Sequence, residues 1–186
     1  MITDHDRSGF FGASDTEKVI AKNISTKSWE QWWMQKLGID TSHFTTPAME
    51  AGTHWEHKIL EALGVPGLVL DRQVILPELL LRVNLDGDTG HCIYECKTHA
   101  ADKPWKAVPK HYIRQVQVQM FATGIRQAYI VAYGLKPEEY NNFFLPVDRS
   151  RIEKYPVAYE EAFIRNIYLP RLTYLAANLK EGRWPK

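Results

Sequence analysis

Cysteine is scarce in this chain of 186 residues: Cys92 and Cys96 are the only two. Two thiolates cannot supply the four that hold an iron–sulfur cluster. They stand four apart in one extended stretch, so both side chains leave the same face and a disulfide between them has poor geometry. That argues against a disulfide-stapled scaffold and for two reduced core thiols in a cytosolic compartment. An excess of one charge is also missing. The 23 Lys and Arg against 22 Asp and Glu leave a formal net charge of +1. Contact with nucleic acid would therefore come from local clusters of basic residues. No apolar run has the length of a membrane span. Met1 through Arg7 are polar with no hydrophobic stretch behind them, so a soluble cytoplasmic protein is the expectation. There is no internal repeat, no low-complexity linker and no glycine-rich nucleotide-binding motif.

What is present can build a core. Hydrophobic residues make up 45% of the chain and aromatics 12%, and the length suits one domain spanning residues 1–186. A short helix is predicted over 14–22, with Ser14 or Asp15 as its N-cap. A second runs over 27–37, carries Trp29, Trp32 and Trp33, and is closed by Gly38. A third starts at Thr46-Pro47 and reaches about Leu63, with Trp55, Ile59 and Leu63 as its apolar stripe. Strands are predicted at 68–76, 79–85 and 91–97, with turns at Pro77-Glu78 and at Asp86-Gly87-Asp88-Thr89-Gly90. A helix over 110–123, a buried strand over 127–133 and a short strand over 143–147 follow. The last element is a long helix over 157–180, kinked at Pro170. This order is that of an α/β protein, a central mixed β-sheet flanked by α-helices.

Residues 84–97 carry the chemistry. Asp86 sits at a turn signal, and Glu95 and Lys97 are separated by one residue on a strand, so they share a face. Two carboxylates and an amine converging at a sheet edge suit a Mg²⁺ site with a lysine beside it, the equipment for cutting a phosphodiester bond. The pattern alone is weak. An aspartate in an Asp-Gly turn is ordinarily a turn residue, and Asp88 competes with Asp86. A Glu–Lys pair on a solvent-facing strand would read the same, although charges inside an apolar strand are costly unless paired or metal-bound. Glu56, on the preceding helix, could supply a third carboxylate. One of Gln115, Gln117 and Gln119 could face the sheet, and helical periodicity favours Gln117, between Ile113 and Met120.

Four blocks, in order, give the chain a resemblance to the PD-(D/E)XK nuclease superfamily, and within it to the phage lambda exonuclease or YqaJ-type viral recombinase family. Arg7 through Ser14 is similar to the N-terminal arginine-to-serine motif. Gly52-Thr53-His54-Trp55-Glu56 is similar to the glycine-to-glutamate helix motif. Leu85-Asp86-Gly87 with Glu95-Cys96-Lys97 resembles the Pro-Asp-Gly and Glu-x-Lys core, with leucine in place of the usual proline. Tyr112 through Met120 resembles the tyrosine-plus-glutamine helix. No proline follows closely on Lys97-Thr98, so the loop 98–109 matches least.

The resemblance implies a restriction-endonuclease-like core and a Mg²⁺-dependent DNA exonuclease. It would act 5′ to 3′ on linear duplex DNA and make single strands for phage-type recombination. The alternatives are a structure- or site-specific endonuclease of the same fold and an inactive DNA-binding relative. The resemblance favours Asp86 over Asp88, and Gln115 over Gln117. It assigns one or two Mg²⁺ ions, with Mn²⁺ as a substitute, to Asp86, Glu95, the carbonyl of Cys96 and Glu56. Lys97 would orient or deprotonate the attacking water and stabilise charge in the transition state. Arg7 and Ser14 would hold a terminal 5′-phosphate, the first through its bidentate fork and the second at a helix N-terminus. Thr98, Lys103, Lys106, Lys110 and Gln117 are candidates for contacts along the DNA. The implied partners are duplex DNA ends, a single-strand annealing protein and further copies of the chain, in the cytoplasm of a bacterial host. Trp29, Trp32 and Trp33 could present a stacking surface, although three tryptophans at helical spacing more often build a core.

Overall fold

A computed structural model describes residues 8–42 and 45–186. A 3₁₀ turn, Ala13–Asp15, runs into α1 (Thr16–Val19), followed by α2 (Lys27–Lys36) and α3 (Pro47–Ala62). Three strands come next, β1 (Val69–Leu76), β2 (Leu81–Asp88) and β3 (Cys92–Ala100). Then come α4 (Lys110–Thr123), β4 (Gln127–Leu135) and β5 (Ile152–Ala158). The chain ends with α5 (Glu161–Phe163), a π-helical turn at Ile164–Tyr168, and α6 (Leu169–Lys180). The strands form one mixed sheet in the order β1-β2-β3-β4-β5. All neighbours are antiparallel except β3 and β4. A parallel pair needs a crossover, and α4 supplies it.

Strand alternation divides the sheet between two helices. Ile93, Ala128 and Ile130 pack with Val116 and Met120 of α4. Cys96, Val131 and Tyr133 turn the other way, onto Trp55, Ile59 and Leu60 of α3. A third cluster joins Trp29 and Trp33 of α2 to Leu81, Val83 and Leu172. Trp29, Trp32 and Trp33 are all buried there, so they are core and offer no stacking surface. Among the described residues, no helix is long and apolar enough to cross a membrane.

Several expected boundaries move, each for a visible reason. Asp86-Gly87-Asp88 is the end of β2, not a turn: Gly87 lies between Leu70 on β1 and Tyr94 on β3. The chain reverses after it, where Asp88 Oδ1 accepts the Gly90 N–H at 2.8 Å, an Asx turn. Residues 143–147 form no strand. Lys58 Nζ holds them as a loop, donating to the carbonyls of Phe143 at 2.8 Å and Leu145 at 2.5 Å. The fifth strand is Ile152–Ala158 instead, taking the expected start of the last helix. Pro170 lies within a continuous helical run from Glu161 to Lys180, directly after the π-helical turn at Ile164–Tyr168, the irregularity expected where proline removes a helical hydrogen bond. Asp15 does not cap α1 with its side chain. It accepts instead from Gly12 N at 2.7 Å and Trp32 Nε1 at 2.9 Å, and pairs with buried Lys36 at 2.6 Å.

Candidate active site

The site begins with a failure of strand pairing. β2 and β3 pair only at Gly87↔Tyr94 and Asp88↔Ile93. Before Gly87, β2 leaves its neighbour, and the vacated edge at Leu81 is taken by Phe11 in an isolated parallel bridge. Between these contacts the backbone groups of both strands need other partners. Asp86 Oδ2 accepts the Cys96 N–H at 2.8 Å, replacing a ladder bond with a side chain. Gln119 Nε2 reaches in from α4 and donates to the Asn84 carbonyl at 3.0 Å and to Glu95 Oε2 at 2.6 Å. The opening between the strands is thus walled by acids and amides.

Glu95 is the centre of this arrangement, with no exposed surface. Its position two residues after Ile93 points it at α4. There it accepts from Lys97 Nζ at 2.5 Å, from Gln119, and from Gln115 Nε2. Gln115 and Gln119 stand four apart on α4 and so lie one turn above the other. Gln117 falls on another face. Its amide donates to the Ala158 carbonyl at 2.7 Å and accepts the Glu160 N–H at 2.7 Å, tying α4 to the end of β5. The structure therefore brings Gln115 to Glu95 and uses Gln117 elsewhere. The sequence led to one glutamine facing the sheet, and Gln119, named among the three but not chosen, joins Gln115 there. Its spacing from Gln115 was the available signal.

Charge in the opening is unbalanced. Glu56 reaches it from α3, where burial and then the nearby Glu95 raise its pKa to about 7. Burial and Glu95 also lift the Asp86 carboxyl well above the usual range, against the pull of Lys97. Burial opposes the charged form of Lys97, but Glu95 and Asp86 outweigh it and raise its pKa. Burial, reinforced by Asp86 and Glu56, pushes the Cys96 thiol well up, which suits an inert core thiol and not a nucleophile. Three carboxyls thus face one ammonium, an excess of negative charge that a divalent cation would relieve. The Oε1 atom of Gln119 is buried beside Glu95 and has no hydrogen-bond partner among the described residues. Glu56 also offers an oxygen to a second group: its ligand atom, one from His57 and one from Asp71 lie within 4.8 Å of one another.

The remaining candidates spread outward. Asp88 is buried and pairs with Arg72 at 2.8 Å, so it closes the β2–β3 turn while Asp86 faces the opening. Thr98 lies against α3: a Cβ on Gly52 would come within 3.2 Å of Thr98 Oγ1, so this glycine lets helix and strand approach closely. Ser14 is exposed on the turn that Asp15 braces, and Lys103, Lys106 and Lys110 are exposed. Arg7 lies outside the described residues.

Comparison with known proteins agrees with this architecture. The family model for the YqaJ-like viral recombinase domain matches residues 4–126. The fold is similar to that of the alkaline exonuclease LHK-Exo from Laribacter hongkongensis, with a TM-score of 0.67 and 21% identity over 94% of this chain and 89% of that one. It is also similar to a phage-related exonuclease from Haemophilus somnus 129PT, with a TM-score of 0.69 and 13% identity over 93% of this chain and 94% of that one. No curated protein matches the chain.

Proposed function

The chain belongs to the YqaJ-like viral recombinase domain family, and on that premise we propose that it is a Mg²⁺-dependent exonuclease, one domain over residues 1–186, that digests linear duplex DNA from 5′ to 3′. The observation that carries this reading is buried Glu95, held by Lys97, Gln115 and Gln119 at the mouth between β2 and β3, with Asp86 and Glu56 beside it. LHK-Exo has been crystallised with dAMP, a deoxynucleoside monophosphate of the kind an exonuclease releases.

Asp86, Glu95, the Cys96 carbonyl and Glu56 are the groups that would hold Mg²⁺ or Mn²⁺, one ion or two. The donor set fits a hard cation, being all oxygen with an excess of negative charge. When bound, the ion would polarise the phosphodiester and lower the pKa of nearby water. The protein groups do the rest. Lys97, which pairs with Glu95 here, would direct its ammonium to the attacking water and the phosphate oxygens. Gln115 and Gln119 keep the Glu95 carboxylate in one orientation, so the ligand is set before substrate arrives. Arg7 and Ser14 would take the terminal 5′-phosphate, and Lys110 with Thr98 would line the strand. Gln117, with both ends of its amide engaged, supports α4. Duplex ends are the proposed substrate, in a bacterial cytoplasm. A single-strand annealing protein and further copies of the chain are the proposed partners.

The test is a linear duplex with one 5′-phosphorylated and one 5′-hydroxyl end, differently labelled, incubated with and without Mg²⁺. Mg²⁺-dependent loss of the phosphorylated strand from its 5′ end, absent in Lys97→Ala, is the expected outcome. Discrete internal cuts would replace the exonuclease with an endonuclease. No Lys97-dependent cleavage in Mg²⁺ or Mn²⁺ would overturn the hydrolase reading.

A further inference from the structure

Beyond Lys97, the face of β3 that α4 covers continues into aromatic rings that the chemistry above does not use. Lys97 Nζ lies 5.5 Å from the centroid of the Tyr112 ring. Tyr112 is 5.4 Å from Trp105, and Trp105 is 5.2 Å from His99, centroid to centroid. His99 is two residues beyond Lys97 on β3 and therefore on the same face. Its strand partner is Gly134, where a Cβ would come within 3.2 Å of His99 Cε1. The missing side chain leaves room for the imidazole to lie across β4. α4 begins only at Lys110, so this end of the sheet is covered by the rings and not by a helix.

The group differs from the aromatic core in exposure: Trp29 and Trp33 are fully buried, whereas Trp105 and Tyr112 only border the cluster under α4. Trp105 meets its three ring neighbours His99, Tyr112 and Tyr155 at 40°, 34° and 41°. Among the described residues no ring lies parallel on its face, and Trp105, Tyr112 and His99 are each half-buried. Partly exposed rings keep some π-surface open, whereas rings that serve only as core are covered. Exposed Lys103, Lys106 and Lys110 flank the same segment, giving it the positive rim that follows a phosphate backbone.

We propose that Trp105, with His99 and Tyr112, forms a stacking shelf for the bases of the strand entering the site, next to the phosphate that Lys97 addresses. The inference rests on the nuclease reading for the strand's placement beside Lys97. Stacking on an aromatic face is available to every base, so the shelf would position a strand without selecting a sequence. Trp105 is here a positioning residue.

An eight-residue oligothymidylate and an abasic chain of the same length carry the same phosphates and differ in bases. Their binding is compared by fluorescence anisotropy in EDTA at low salt, where neither cleavage nor metal contributes. Wild-type protein should bind the intact chain about tenfold more tightly. Trp105→Ala should bind both alike, at the wild-type level for the abasic chain, and Trp105→Phe should keep most of the preference. Equal binding of the two chains by wild type, or a preference surviving in Trp105→Ala, overturns the shelf. Should Trp105→Ala fail to fold, judged by its melting curve, His99→Ala replaces it: a reduced preference supports the shelf and an unchanged one overturns it. Lys97-dependent cleavage is assayed separately. Its absence with the base preference intact removes the nuclease reading and leaves the shelf as a binding surface.

Discussion

Glu95 shows why a buried charge is informative at the scale of one residue. A carboxylate with no exposed surface is tolerated because Lys97, Gln115 and Gln119 all donate to it. Removing one amide leaves an oxygen unpaired and a ligand loosely held. Gln119→Leu should therefore weaken Mg²⁺ activation about ten- to a hundredfold, read by titrating Mg²⁺ against cleavage rate. Gln117→Leu is the contrast. It loses two backbone contacts outside the opening, so its melting temperature should fall while the Mg²⁺ midpoint stays put. Lys97→Ala should reduce the cleavage rate at saturating Mg²⁺ by about a hundredfold or more, measured in single-turnover assays.

At the scale of elements, the site exists because two strands part. Gly87 is the first residue of β2 that pairs with both neighbours, and a Cβ there would meet Leu68 at 3.1 Å, Leu70 at 3.4 Å and Leu60 at 3.5 Å. Gly87→Ala should destabilise the protein by about 1–3 kcal/mol, seen in a denaturant titration, by pushing β2 off α3. A second brace holds the far side of the sheet. Glu139 is buried and takes Arg151 at 2.6 Å, and Arg151 also donates to the Gly134 carbonyl at 2.6 Å. Glu139→Leu would leave the guanidinium with Asp148 alone, at 3.3 Å, and should cost about 1–3 kcal/mol. The Mg²⁺ dependence of the folded fraction should be unchanged, since the brace supports the connection from β4 to β5 and not the acids.

For the whole molecule the carboxyl cluster links stability to pH and to cation. Glu56 has its pKa raised from 4.5 to about 7, and Asp86 is raised as well. A carboxyl raised on folding holds its proton more tightly in the folded state. Its contribution is thus fully present below the unfolded pKa and is lost as pH climbs through the folded value. Without divalent cation the melting temperature should fall as pH rises from about 4.5 toward 7. A bound cation favours the ionised forms and acts against that loss. The rise in melting temperature on adding Mg²⁺ should therefore be larger at pH 8 than at pH 5. Equal shifts at both values would separate the cation from these carboxyls.

The sequence by itself determined the helices and the first four strands, the α/β class, and the stretch in which the chemistry lies. Apolar periodicity in α3 and α4, punctuation by Gly64 and Gly124, and the spacing of Glu95 and Lys97 are local quantities, and local spacing is written in the chain. Asp86 and Asp88 could not be separated from composition, because both sit in the one turn-like run Asp86-Gly87-Asp88-Thr89-Gly90. Only the parting of β2 from β3 turned one to the opening and the other to Arg72. Likewise three glutamines at alternate positions look alike until the sheet stands beneath α4, and then two of them meet Glu95 and the third meets β5. The fifth strand was hidden because Ile152–Ala158 carries polar and apolar residues that suit an edge, and an edge exists only once β4 is in place. Tertiary structure decided these points since each depends on which surface a residue meets, and that surface is built by residues distant in the chain.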